Sequence, residues 1–246
     1  MGSSFAAGLG VTVSADQPTN RCARSNDNFA HIIARRLDLQ LTDVSCSGAT
    51  TAHVLGSWNE LPPQVQALTP DTKLVTVTIG GNDVGYFGML WSASCVTAAR
   101  SVTAFKCPIP SPSSDPWRSL DAGMRGIAAE VHRRSPAARL VFVDYLSVLP
   151  DRGQCTAAPM NGTQADAIRA TAAQLASLTA RVAAETGSEI VKASVLSQSH
   201  AVCSADPWIT GFSAARTKGF IPYHPNARGM LAIANALEAH LAKVRK

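Results

Sequence analysis

Apolar positions recur along this chain with two periods, and each change of period marks an element. Phe29, Ile32, Ile33 and Leu37 fall at i, i+3, i+4 and i+8, one stripe of a helix that Ser25 is placed to cap. Leu39 to Cys46 reads as a short strand, and residues 50–70 hold a helical turn and the Pro62-Pro63 break. Lys73 to Ile79 is the clearest strand, rich in the β-branched residues of a strand buried on both faces. Residues 84–115 read as one long loop, with Pro108-Ile-Pro-Ser-Pro112 inside it. Excursions of that length often carry function. Pro116 to Ser135 reads as a helix and Arg139 to Leu146 as a second buried strand. Thr163 to Glu185 is a long Ala-rich helix stopped by Gly187, and Glu189 to Ala193 is a last short strand. Residues 194–222 read as loop. Pro225 suits the first turn of a final helix with Met230, Ile233, Leu237 and Leu241 on one face.

Strands alternating with helices predict an α/β fold with a parallel sheet covered on both faces. Ligands of such sheets bind at the carboxyl ends of strands. Ser47-Gly48 and Gly80-Gly81-Asn82-Asp83 follow two such ends directly. No internal repeat and no linker divides the chain, so residues 1–246 are expected to form one domain.

Composition narrows the classes. Hydrophobic residues make up 46% of the 246, ordinary for a globular core, and no apolar run is long enough for a membrane span. No leader peptide is visible. The net charge of +5 comes from dispersed residues, with only pairs such as Arg35-Arg36 and Arg133-Arg134. A nucleic-acid surface would need a basic cluster with interleaved aromatics, and none is present. Weak attraction to a membrane or cell-wall surface is the most this charge supports.

Six cysteines, Cys22, Cys46, Cys95, Cys107, Cys155 and Cys203, lack the close pairs of a zinc or redox site. An even, widely spaced set points to disulfides and an oxidising compartment. Fifteen pairings are possible, and neighbour-with-neighbour pairing closes the shortest loops.

Four separated stretches supply the parts of acyl transfer. Gly2-Ser3-Ser4-Phe5-Ala6-Ala7-Gly8 reads as a nucleophile turn with Ser4 as the attacking group. Gly2 lets the backbone bend sharply, and Gly8 lets a helix pack close. Ser47-Gly48-Ala49 and Gly80 to Asp83 offer oxyanion donors, and His224-Pro225-Asn226 offers a base.

These four blocks resemble those of the SGNH hydrolases, the GDSL esterase/lipase family, in order and over nearly the whole chain. The cysteines resemble those of its secreted bacterial esterases and phospholipases. The resemblance implies a flavodoxin-like three-layer α/β/α sandwich, a secreted serine ester hydrolase and no metal or organic cofactor. It implies that Ser4 attacks an ester carbonyl of a small-molecule or lipid substrate and that His224 takes its proton. The backbone N–H groups of Ser4 and Gly48 and the side-chain amide of Asn82 would bind the oxyanion. It also implies the pairs Cys22–Cys46, Cys95–Cys107 and Cys155–Cys203. Three departures stand out. Ser3 occupies the place of the usual Asp before the nucleophile. Ile221 occupies the place of an Asp three residues before the histidine, so its backbone carbonyl is the expected partner of His224 in a dyad. The strand that leads into the first block is absent, which predicts a sheet of four strands.

Other candidates read more plainly. His31, His132 and His240 fall on helices, and His200 in a loop. His53 follows Gly48 closely and could line a pocket. Asp206 is the rival carboxylate for His224, and Asp83 is read as a brace for the Asn82 turn. Tyr86, Phe87, Trp91, Phe105, Trp208 and Tyr223 are candidates for an acyl pocket. Two other functional readings compete: a polysaccharide deacetylase, and a non-catalytic binding module on a decayed hydrolase fold.

Overall fold

The computed structural model describes residues 1–99, 115–212 and 221–243. Its sheet has three parallel strands in the order β1-β2-β3: β1 is Leu74–Val77, β2 Arg139–Val143 and β3 Glu189–Val191. Leu74 stands opposite Arg139 and Val77 opposite Phe142, while Val141 pairs with Glu189 and Val143 with Val191. Leu140, Val141, Phe142 and Val143 are buried in succession. Successive side chains of a strand point to opposite faces, so both faces of β2 are covered.

The helices form two groups. α2 (Phe29–Leu37) packs on α8 (Ala227–Lys243). The other group runs from α3 (Thr51–Leu55) to α5 (Pro116–Arg134), on to α6 (Gly162–Glu185) and then α4 (Tyr86–Ala99). Leu120, Met124, Ile127 and Val131 of α5, Ile168, Leu175 and Val182 of α6, and Met230, Ile233 and Leu237 of α8 are buried in the core. The remaining elements are short: α1 (Ser4–Ala7), α7 (Ala193–Leu196) and two 3₁₀ turns, Gln64–Ala67 and Gln198–His200.

Several expectations are corrected. Residues 39–46 form no strand, so among the described residues the sheet has three strands where four were expected. Cys46 N donates to Gly2 O at 3.0 Å, but no ladder extends from that bond. The opening segment, residues 1–3, lies along β1 instead: Gly2 bridges Thr78 in parallel, and Ser3 N donates to Thr78 O at 2.9 Å. Much of the expected loop 84–115 is helix α4, and the stretch 194–222 contains α7 and a 3₁₀ turn. Ser25 does not cap α2. Its hydroxyl pairs with Thr12 Oγ1 at 2.8 Å, and Asn28 caps the helix by accepting from His31 N at 3.0 Å. Pro225 precedes α8, whose first turn is capped by Asn226 Oδ1, which accepts from Arg228 N and Gly229 N.

Disulfides join Cys22 to Cys46 and Cys155 to Cys203. Cys95 is also disulfide-bonded; Cys107, its expected partner, lies outside the described residues.

Candidate active site

The opening residues make a strand–turn–helix. Gly2 ends the run beside β1 with φ +130°, and a Cβ there would sit 2.3 Å from Thr78 O, so no larger residue fits without displacing β1. Ser3 is extended, and α1 begins at Ser4. This places the Ser4 hydroxyl at the start of a helix, just beyond the carboxyl end of β1, the usual ligand position in such sheets.

The far end of the chain meets it there. His224 Nε2 lies 2.8 Å from Ser4 Oγ. Its Nδ1 lies 2.8 Å from Pro222 O. A carbonyl only accepts, so Nδ1 carries the hydrogen and Nε2 is left as an acceptor facing the hydroxyl. The expected carbonyl was that of Ile221. It is taken by Thr210, whose Oγ1 donates to Ile221 O at 2.6 Å. Tyr223, with φ +61°, turns the chain so that the carbonyl two residues before His224 faces the ring. Thr210 also holds the segment through Tyr223 N to its carbonyl at 2.8 Å and its own N to His224 O at 2.9 Å. Neither Thr210 nor Pro222 carried a signal in the sequence.

Phe5 and Phe87 flank the imidazole, with ring centroids 5.3 and 5.2 Å away. Burial disfavours the charged ring and pushes its pKa down to about 4, against the opposing pull of the Pro222 carbonyl. The ring is therefore neutral throughout the neutral pH range.

The three expected oxyanion donors fall on three turns linked by hydrogen bonds, Cys46 N to Gly2 O at 3.0 Å and Asn82 Nδ2 to Ala49 O at 2.9 Å. Gly48 is left-handed, with φ +86°, directly after the Cys22–Cys46 link. Ser47 fixes that turn, donating to Cys22 O from its N–H at 3.1 Å and its Oγ at 2.8 Å. Asn82 Nδ2 donates one hydrogen to Ala49 O at 2.9 Å, and its second meets no acceptor among the described residues. The N–H groups of Ser4 and Gly48 donate to no acceptor among the described residues. Asp83 accepts from Thr51 N at 3.0 Å and Thr51 Oγ1 at 2.5 Å, tying the Asn82 turn to α3. Burial raises its pKa, partly offset by the two Thr51 bonds.

The remaining candidates lie elsewhere. Asp206 binds Arg228, and its backbone carbonyl meets His200 Nδ1 at 2.9 Å; neither residue is bonded to His224. His200 stacks on Trp208 at 3.8 Å. His53 stacks on Trp58 at 4.1 Å and takes the Thr50 N–H at 3.1 Å. His31 lies 3.6 Å from Asp43, His240 pairs with Glu189 at 2.7 Å, and His132 is exposed. Of the aromatics, Phe87 reaches the dyad, Tyr86 is buried beside it, Trp91 meets Phe212, and Tyr223 pairs its hydroxyl with Ser94. Phe105 lies outside the described residues. No group of three or more His, Cys, Asp or Glu that could hold a metal occurs among the described residues.

A serine hydroxyl held against a histidine near the carboxyl end of a parallel sheet, with N–H groups unengaged among the described residues, fits a serine hydrolase of the α/β class. Residues 1–232 match the model of the GDSL-like lipase/acylhydrolase family. Lipase 2 of Streptomyces coelicolor is 32% identical over 93% of this chain and 80% of its own length. Two solved structures cover 97% of this chain and 96% of their own. Phospholipase A1 of Streptomyces albidoflavus superposes with a TM-score of 0.78 at 25% identity. An extracellular lipase of Streptomyces rimosus does so with 0.76 at 23%. The chain belongs to the GDSL-like lipase/acylhydrolase family and is a carboxylic ester hydrolase.

Proposed function

We propose that the chain, as one domain, is a secreted esterase or lipase that cleaves carboxylic esters through an acyl-enzyme on Ser4. The observation that carries the reading is the Ser4–His224–Pro222 relay, with both contacts at 2.8 Å. Ser4 Oγ attacks the ester carbonyl carbon while His224 Nε2 takes its proton. The carbonyl oxygen becomes an oxyanion, received by the N–H groups of Ser4 and Gly48 and the free hydrogen of Asn82 Nδ2. Collapse of the tetrahedral intermediate breaks the bond to the alcohol, which leaves with the proton from Nε2. A water, deprotonated by the same nitrogen, then releases the acid and restores Ser4. Because Nδ1 faces an amide carbonyl, this is a dyad without a side-chain acid. The disulfides and the extracellular setting of the S. rimosus lipase support a home outside the cell. A lipid ester is the favoured substrate, since the relative at 32% identity is a lipase and the S. albidoflavus structure at 25% is a phospholipase A1.

A series of p-nitrophenyl esters from acetate to long acyl chains tests the reading. Turnover of the longer chains by the wild type, lost in Ser4→Ala, is expected. Turnover of acetate alone would favour a deacetylase, and no turnover at all would leave a binding module.

A further inference from the structure

The nucleophile turn and the Asn82 turn are joined below the dyad by a buried hydroxyl chain. Gly81 N donates to Tyr145 Oη at 2.9 Å. Tyr145 Oη lies 3.2 Å from Ser3 Oγ, and Ser3 Oγ lies 3.5 Å from Thr78 O. Ser3 has no exposed surface and Tyr145 only 6%. An amide N–H can only donate, so Tyr145 Oη accepts there. If Ser3 also donated to it, the tyrosine hydrogen would have no acceptor among the described residues. The order that uses every hydrogen runs from Gly81 N–H to Tyr145, from Tyr145 to Ser3, and from Ser3 to the Thr78 carbonyl. Burial raises the tyrosine pKa, so the hydroxyl keeps the hydrogen this order needs.

Each tied residue immediately precedes an oxyanion donor: Ser3 precedes Ser4 N, and Gly81 precedes Asn82. The same tyrosine ring packs on Phe5 at 4.9 Å and Phe87 at 5.7 Å, the two rings that flank His224. We infer that Tyr145, acting through Ser3 and Gly81, is a positioning residue that sets the spacing of the Ser4 and Asn82 donors. It touches neither substrate nor dyad. The inference rests on the proposed roles of Ser4 and Asn82. Removing the hydroxyl leaves the buried Gly81 N–H without its acceptor, and the two turns lose their shared anchor. The donors stay present but shift, so the loss falls on the transition state and not on substrate binding.

The test compares Tyr145→Phe, Ser3→Ala and the double variant with the wild type on one p-nitrophenyl ester, with melting curves alongside. In Tyr145→Phe, kcat should fall about tenfold, less than the 10²–10³ of an outright lost donor. KM should stay within about twofold, and the acid limb of kcat/KM should not move, because His224 is outside the chain of bonds. Ser3→Ala should fall severalfold, and the double variant should be no worse than Tyr145→Phe, since both cut one connection. Unchanged kcat with a lowered melting temperature would make the chain a plain structural brace. Losses that multiply, or a raised KM, would equally overturn the inference. If Tyr145→Phe does not fold, Ser3→Ala alone decides by the same split of kcat from KM. Ser4→Ala separates the two failures: turnover surviving there would sink the reading of the site itself.

Discussion

The Nδ1 hydrogen of His224 points at an amide carbonyl 2.8 Å away, and that choice of partner sets its chemistry. A carbonyl fixes the tautomer as a carboxylate would, but its partial charge supports the imidazolium less. Burial between Phe5 and Phe87 lowers the pKa to about 4, against the upward pull of that carbonyl. The base must be neutral to act, so the acid limb of kcat/KM should have its midpoint near 4 and not at the ordinary 6.5 of histidine, read from rates between pH 3.5 and 8. The sign for stability follows. The unfolded chain takes up this proton below about 6.5 and the folded one only near 4, so His224 costs stability as pH falls through that window and nothing above it. Asp206→Asn should leave kcat within about twofold, since the carboxylate is engaged with Arg228; losing the orienting acid of a true triad costs about 10⁴. His224 and Ser4 were legible because their blocks have recognisable neighbours. The Pro222 carbonyl was not, because it depends on the positive φ of Tyr223 and the grip of Thr210, and neither leaves a pattern in the sequence.

Among the elements, those with a clean period were legible and those without one were not. α5, α6 and α8 each present one apolar stripe to the core, and the bounds of α5 and α6 agree with the sequence to within about one residue. α4 runs from Tyr86 to Ala99 without a single charged residue, so no polar face marks its period. Residues 39–46 have a strand-like composition, yet Leu39 and Leu41 are exposed and no ladder forms. Composition there could not reveal what lies alongside. The opening turn shows how one residue governs an element. Gly2→Ala would press a Cβ against Thr78 O in a backbone region that suits only glycine. The expected cost is about 2–4 kcal/mol of stability, strain and overpacking together, measured by denaturant unfolding. A smaller loss, below about 1 kcal/mol, would mean that the start of the chain yields and that α1 is not fixed through β1.

Across the whole molecule, covalent links and the return of the last helix bring distant parts to one place. The two described disulfides close loops of 24 and 48 residues, worth about 3.5–4 kcal/mol each in the chain-entropy account. Reduction should lower the melting temperature sharply, and activity should fall with Cys22–Cys46 because that link holds the Gly48 turn. No helix among the described residues is long and apolar enough to cross a membrane. The fold class was legible from alternating strands and helices, and the meeting of the two ends followed only from recognising four blocks as one site. Ser4 and His224 stand 220 residues apart in sequence and 2.8 Å apart in space. A fluorophosphonate, followed by peptide mass mapping, tests that meeting most directly. The adduct should fall on Ser4 in the wild type, and labelling should slow at least a hundredfold in His224→Ala, by analogy with the about 10²–10⁴-fold contribution of a general base. An adduct on Ser3 or Ser47, or labelling of Ser4 at an unchanged rate without His224, would contradict the account.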